Sequence, residues 1–374
     1  MDEYARTKGA LEQYRALAAE DDAAILPETS KPVEPGRHYD GVPRLIRLLM
    51  RIGDLSADAI SADFISADPD LYHGALVTAV KRFQRRHGLE PDGRIDKTTL
   101  AQLNTPLAFR VHQLELALER WRHRPYDPSG AAIVLNLPEF RLRAFRANHL
   151  DLEMKIVVGQ AHEHKTPLLS SGLESVILRP YWNVPFSIQR AELVPEIMKD
   201  RSFLSANHFQ ILTMEGAVVE DAISDDLLSQ LRSGNLRLRQ TSGPGNTLGL
   251  AKFVFPNDYH VYMHATSAPE LFALERRDLS HGCIRLERAV DLAEWVLRAE
   301  TGWTRNRILK AMHGSQSIEV KLTQPIQVVT MYVTAVALEN GEVHFFDDIY
   351  GEDEALKQTL AGSPTNREAN GSLQ

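Results

Sequence analysis

A single cysteine, Cys283, stands in the chain, within the run Ser280-His281-Gly282-Cys283-Ile284-Arg285. A thiol becomes a useful nucleophile when a neighbour stabilises the thiolate, and histidine is the usual neighbour. His264 lies upstream, and His281 stands two residues before the thiol. A lone cysteine is more often a small buried hydrophobe. Here two polar residues and a glycine precede it and an apolar, helix-like run follows, which favours nucleophilic chemistry.

The stretch His260-Val261-Tyr262-Met263-His264 alternates as a strand does. Such a strand turns His260, Tyr262 and His264 to one face and anchors itself through Val261 and Met263 on the other. With Cys283 opposite, His264 either takes the thiol proton or holds the thiolate as an ion pair. His281 then orients the site or lines an oxyanion pocket. The backbone N–H groups of Gly282 and Cys283 suit a tetrahedral oxyanion, because glycine lets the chain approach closely. Ser280 is a hydrogen-bond partner able to fix an imidazole tautomer. The alternative is zinc, with His264, His281 and Cys283 as three ligands. No His-x-x-x-His or Cys-x-x-Cys spacing supports it.

The elements that position these residues read as follows. A helix-prone N-terminus breaks at Pro27, Pro32, Pro35 and Gly36. From Pro43 to Asn104, Leu45, Leu48, Leu49 and Ile52 form one helical face, and Leu76, Ala79, Val80 and Phe83 a second. Asp92-Gly93 is a turn, and Asp96 caps a third short helix with Leu100 and Leu103. A helix from Val111 to Arg124 ends at Pro125 and Pro128. The period then changes to two. Residues 133–137, 141–145, 155–158 and 176–178 read as strands, with more at 252–255 and 260–264. Residues 187–240 are helix-prone, and a helical face follows Cys283 through Ala289, Ala293 and Val296. Val328–Ala337 and Glu342–Phe346 read as a final hairpin around Asn340-Gly341. The expected class is α+β multidomain: residues 1–42 a helix and linker, 43–104 a three-helix domain, 105–128 a linking helix, 129–361 a β-rich domain with a helical insertion at about 187–239, and 362–374 a disordered tail.

Length allows two or three domains. A net charge of −8 argues against a nucleic-acid partner, which needs excess Lys and Arg. No apolar run reaches the length of a membrane span. Met1-Asp2-Glu3-Tyr4 lacks a basic segment followed by an apolar one, so no signal peptide is expected in this sequence. One cysteine forms no internal disulfide, which leaves the redox compartment undecided.

Two resemblances sharpen this reading. Leu48-Leu49, Ala79 to Gln84, Gly88 to Gly93 and Thr99 to Asn104 together resemble the three-helix peptidoglycan-binding domain, with Asp96 where that family commonly has glycine. His264 followed by Ser280-His281-Gly282-Cys283 and Arg285 resembles the motif of the L,D-transpeptidase catalytic domain, the YkuD fold. Glu119-Arg120-Trp121-Arg122, Asn136-x-Pro138-Glu139-x-x-Leu142, Pro180-Tyr181-Trp182-Asn183-Val184-Pro185 and Arg239-Gln240-x-x-Gly243-Pro244-x-Asn246-x-Leu248-Gly249 are similar to the large YcbB-type enzymes of Gram-negative bacteria.

The resemblance implies a cysteine acyltransferase of peptidoglycan biosynthesis, serving cell-wall biogenesis and cell shape. Cys283 would attack the third residue of a tetrapeptide stem and expel D-Ala. An amine of a second stem would then resolve the thioester into a 3-3 cross-link, with His264 carrying the protons. Residues 187–239 would form a cap, and Trp182, Asn183, Asn246 and Tyr262 would face substrate, although core packing suits Trp182 equally. Peptidoglycan and carbapenem inhibitors are the implied partners, the periplasm the implied location, and neither metal nor organic cofactor is implied. Hydrolysis at the same site, as L,D-carboxypeptidase or amidase, and a non-catalytic wall-binding protein are the alternatives.

Overall fold

The computed structural model describes residues 3–22, 24–61, 68–123, 126–220 and 222–362. Two compact units divide it: Met1–Arg124 with Tyr332–Gln374, and Pro125–Met331. This division differs from the expected one, which kept residues 129–361 together. The segment from Tyr332 onward packs with the N-terminal part of the chain, for identifiable reasons. Tyr14 meets Phe345 edge-on at 5.1 Å, and the Arg110 guanidinium lies 5.0 Å from the centre of the same ring. Gln113 donates to the Phe346 carbonyl at 3.0 Å, and Arg120 pairs with Asp353. The strand expected over 328–337 is accordingly interrupted. Ile318–Met331 belongs to the second unit, while Ala335–Ala337 pairs with Val343–Phe345 around the expected Asn340-Gly341 turn. The expected tail beyond Gly362 lies outside the described residues.

In the first unit the helices Val42–Arg51, Gly74–Arg86 and Lys97–Leu103 bury Leu45, Leu49, Leu76, Val80 and Leu103 in one cluster. Asp96 caps the third helix, its carboxylate accepting the Thr99 N–H at 2.8 Å. The Phe-Gln and Asp-Gly motifs prove to be one device. Buried Gln84 accepts the Gly93 N–H at 2.8 Å and donates to the Arg94 carbonyl at 2.9 Å, clamping the turn. Three helices do not exhaust this region. A short helix, Ala57–Ser61, and a ribbon of Arg37–His38 with Leu71–Tyr72 accompany them.

The second unit is built on a nine-stranded sheet. Its order is Asp278–Ser280, His149–Gly159, Ile284–Leu286, Met263–His264, Ala251–Val254, Ser170–Leu178, Ile318–Met331, Ala131–Asn136 and Arg141–Arg146. Arg141–Arg146 also pairs with His149–Gly159, so the sheet closes on itself. Alternation fills its interior: Ile133, Leu135, Leu142, Ile156, Val176, Phe253, Met263 and Ile284 are fully buried. The helix Ala289–Val296 follows the Cys283 strand, as its apolar face requires.

The expected helical insertion is in fact mixed. Between Trp182 and Leu248 a four-stranded antiparallel sheet (Trp182–Asn183, Arg237–Gln240, Phe209–Leu212, Val218–Val219) packs with short helices around Val194, Ile197, Leu231 and Leu238. Buried Gln189 holds this core together. Its amide donates to the Leu231 and Leu236 carbonyls at 2.7 and 3.0 Å and accepts the Leu238 N–H at 2.8 Å. Among the described residues no helix is long and apolar enough to cross a membrane.

Candidate active site

The loop carrying the thiol is shaped by hydrogen bonds internal to it. Ser280 Oγ accepts the Gly282 N–H at 3.2 Å and donates to the Cys283 carbonyl at 2.5 Å. Gly282 has φ +103°, a conformation that side chains disfavour. Thr166 supports the loop from outside. Its hydroxyl donates to the Gly282 carbonyl and accepts the Gly159 N–H, both at 2.9 Å. Gly159 cannot be larger: a Cβ there would lie 1.8 Å from the His164 carbonyl oxygen and 2.9 Å from Gly282 Cα.

Two expectations change as a result. The Gly282 N–H is committed to Ser280, so it does not stand open as an oxyanion donor. Ser280 braces the loop and does not set an imidazole tautomer. That role falls to the Ala265 carbonyl, which lies 2.5 Å from His264 Nδ1. A carbonyl only accepts, so Nδ1 carries the proton and the neutral ring presents its lone pair at Nε2.

Strand register brings the thiol and the histidine to one face. Met263 pairs with Ile284 and His264 with Arg285 in parallel. The residues one step earlier, Tyr262 and Cys283, share that face by alternation. The Tyr262 and His264 rings are 5.7 Å apart. The Tyr262 backbone and hydroxyl both draw the Cys283 thiol down, and Trp182 acts on the same hydroxyl. The expected five-residue strand is only Met263–His264. His260 sits in a turn at φ +55° and is exposed, so it takes no part.

Burial dominates the electrostatics. It pushes the Cys283 thiol up, against the Tyr262 hydrogen bonds and the Lys252 and Arg285 charges, which draw it down. His264 is pushed down to about 3, chiefly by burial and then by Arg285, with the Ala265 carbonyl opposing. The resting pair is therefore thiol and neutral imidazole. Of the two modes open from sequence, this favours proton uptake by His264 during attack over a standing ion pair.

The other expected residues divide. His281 turns to the insertion, its Nε2 2.6 Å from Glu192 and its ring 4.7 Å from that of His164. It neither orients His264 nor joins His264 and Cys283 as a zinc ligand. Among the described residues no group of His, Cys, Asp and Glu is arranged to hold a metal ion. Trp182 is buried in the core of the insertion, so it packs there and does not face substrate. Asn246 is buried and pins its own loop, donating to the Thr241 carbonyl at 2.9 Å and accepting the Leu248 N–H at 2.8 Å. It is not available to a ligand. Asn183 is exposed, opposite Arg239 in the insertion sheet. Thr166, Gly159 and Lys252 escaped the sequence reading. The only hint of Lys252 was a charge alternating with Ala251 and Phe253.

Fold and site define a closed β-rich unit that sets a lone cysteine beside a buried histidine, with a separate mixed α and β insertion. Residues 130–320 match the L,D-transpeptidase catalytic domain, half of the chain, and the chain belongs to that family. Residues 40–103 match a family described provisionally as a peptidoglycan-binding domain. A curated Haemophilus influenzae protein, which carries the name L,D-transpeptidase provisionally, is 32% identical over 242 residues. That alignment covers 65% of this chain and 48% of the relative, so the chain spans about half the length of the curated relative it matches. Among solved structures, an L,D-transpeptidase from Stackebrandtia nassauensis aligns at 12% identity and TM-score 0.29, over 82% of this chain and 97% of that one. L,D-transpeptidase 3 from Mycobacterium tuberculosis, solved with a faropenem-derived adduct, aligns at 14% identity and TM-score 0.24, over 54% of this chain and 60% of that one.

Proposed function

We propose that this protein is a cysteine-dependent L,D-transpeptidase that cross-links peptidoglycan stem peptides. The observation that carries the reading is the shared face of Tyr262, His264 and Cys283, within a chain that matches the catalytic family. As Cys283 Sγ attacks the carbonyl of the third stem residue, its proton passes to His264 Nε2 and the carbonyl electrons move to oxygen. On collapse the C–N bond breaks, and the departing D-Ala amine takes the proton from the imidazolium. The thioester then meets the amine of a second stem. His264 accepts that amine's proton, the new amide forms, and the thiolate leaves and is reprotonated. A thiol suits both halves because it attacks well and leaves well. The product is a 3-3 cross-link.

The match over residues 40–103 supports a wall-tethering role for the first unit, which raises the local concentration of a polymeric substrate. The same thiol is expected to be acylated by carbapenems, and a periplasmic location is proposed because that is where such a substrate lies. The test is incubation with a tetrapeptide donor, with muropeptides and protein followed by mass. A dimer with loss of D-Ala, and a transient acyl-enzyme absent in Cys283→Ala, is the expected result. A tripeptide without dimer would replace transfer by hydrolysis. No acylation at all would leave a wall-binding role.

A further inference from the structure

His264 has a cation on each side. Lys252 pairs with it in the antiparallel register of Ala251–Val254, and Arg285 in the parallel register of Ile284–Leu286. Residues paired across strands point to the same face. Lys252, His264 and Arg285 therefore form one row across three adjacent strands, beside the row that holds Tyr262 and Cys283. Both cations are half-buried, and burial is the largest influence on each, lowering both below their ordinary values. Among the described residues neither makes an ion pair or hydrogen bond with a carboxylate. The Lys252 ammonium lies 3.8 Å from the centre of the Tyr262 ring, and Arg285 Nε is buried without a partner. Glu270 acts on Arg285 only through space. Two half-buried cations without a counter-charge are costly unless an anion arrives with a ligand. The resting site supplies none, since thiol and imidazole are both neutral.

We propose that Lys252 and Arg285 form a carboxylate subsite that takes the terminal carboxylate of the donor peptide, on the residue that leaves. The inference rests on the transpeptidase reading. Its stereochemistry is direct. His264 must reach the departing amine nitrogen, and two bonds of about 1.5 Å each separate that nitrogen from the carboxyl carbon. A carboxylate so placed falls between the side chains flanking His264. Lysine and arginine are the residues that recognise it through charge-assisted hydrogen bonds. Binding would also prepare the base. Both cations hold the His264 imidazole down, with the Ala265 and Leu248 carbonyls opposing, and Cys283 and Tyr262 alongside are uncharged. A carboxylate between the cations cancels that part of the effect, so His264 becomes a better proton acceptor once a donor is bound.

The test uses the one thiol in the chain. Rates of Cys283 alkylation by anionic iodoacetate and neutral iodoacetamide are measured at low salt in the full-length protein, in Lys252→Met and in Lys252→Arg. Both reagents read the same thiolate, so their ratio isolates the attraction of an anion to the site. A single charge nearby is worth about tenfold. The ratio should fall by about that factor in Lys252→Met, stay within about twofold in Lys252→Arg, and fall with added salt. An unchanged ratio in Lys252→Met overturns the subsite. In the second arm, a tetrapeptide donor is compared with its C-terminal amide. The unmodified protein should favour the free acid through a lower KM, and Lys252→Met should lose that preference. A falling reagent ratio with no preference between acid and amide overturns the assignment to the donor's carboxylate. If neither donor reacts in the unmodified protein, the transpeptidase reading fails. The reagent ratio then still decides whether the anion subsite exists.

Discussion

Truncating the thiol or its proposed base would separate chemistry from folding. Cys283→Ala is expected to abolish acylation, read as intact mass after carbapenem treatment, with an unchanged far-UV spectrum. His264→Ala should slow acylation by about 10²–10⁴-fold, the usual worth of a general base. His281→Ala should cost far less, because its ring is paired with exposed Glu192, and exposed pairs contribute about 0–1 kcal/mol. A larger loss for His281→Ala than for His264→Ala would reverse the roles. His264 also predicts acid sensitivity. Unfolded, it takes a proton near its ordinary pKa of about 6.5, whereas folded it takes one only at about 3. The unfolded chain thus binds more protons between those values, and stability present above pH ~6.5 drains away as pH falls towards 3. Urea midpoints followed by tryptophan fluorescence should fall less steeply over that window in His264→Gln than in the unmodified protein. Parallel slopes would mean that His264 already exchanges its proton freely in the folded state.

At the scale of elements, the loop that carries Cys283 depends on contacts from the strand and loop beside it. Gly159→Ala sets a methyl group into the His164 carbonyl and Gly282 Cα. The backbone must move, at a cost of about 1–3 kcal/mol. Thr166→Val removes the hydroxyl that links the Gly159 N–H to the Gly282 carbonyl, a loss of similar size. Both variants should lower the thermal midpoint and slow Cys283 alkylation together. A drop in stability with alkylation unchanged would show that the loop keeps its shape without these braces.

At the scale of the whole molecule, the chain leaves the first unit and later returns to it. Residues 332–362 supply Phe345, the Val343 and Phe346 carbonyls and Asp353 to groups on the N-terminal helices. Ending the chain after Met331 would leave buried Arg86 and Gln113 each short of an acceptor, and Arg120 without its carboxylate. Hydrogen exchange should then rise across the helices of residues 1–124 and change little over 125–331. Increased exchange confined to residues 125–331 would refute this division of the molecule.

The sequence by itself determined the local elements and marked the candidate site. Cys283, His264 and the glycine at 282 stood out as candidates because a nucleophile would need particular residue types at short spacing. Helices with an apolar stripe and strands with period two were legible because those periods are set by the backbone. The Gln84 and Asp92-Gly93 pattern was legible for the same reason, since its contacts are nearly local. Only the tertiary structure decided which strands adjoin. Register placed Lys252 and Arg285 on either side of His264, and no spacing along the chain encodes a pairing between residues 252, 264 and 285. Folding likewise committed the Gly282 N–H to Ser280 and drew Trp182 and Asn246 into structural roles. It also carried residues from Tyr332 onward back to the first unit. Each of these depends on side chains far apart in sequence being buried together, and burial, which also sets the proton on His264, is a property of the folded molecule.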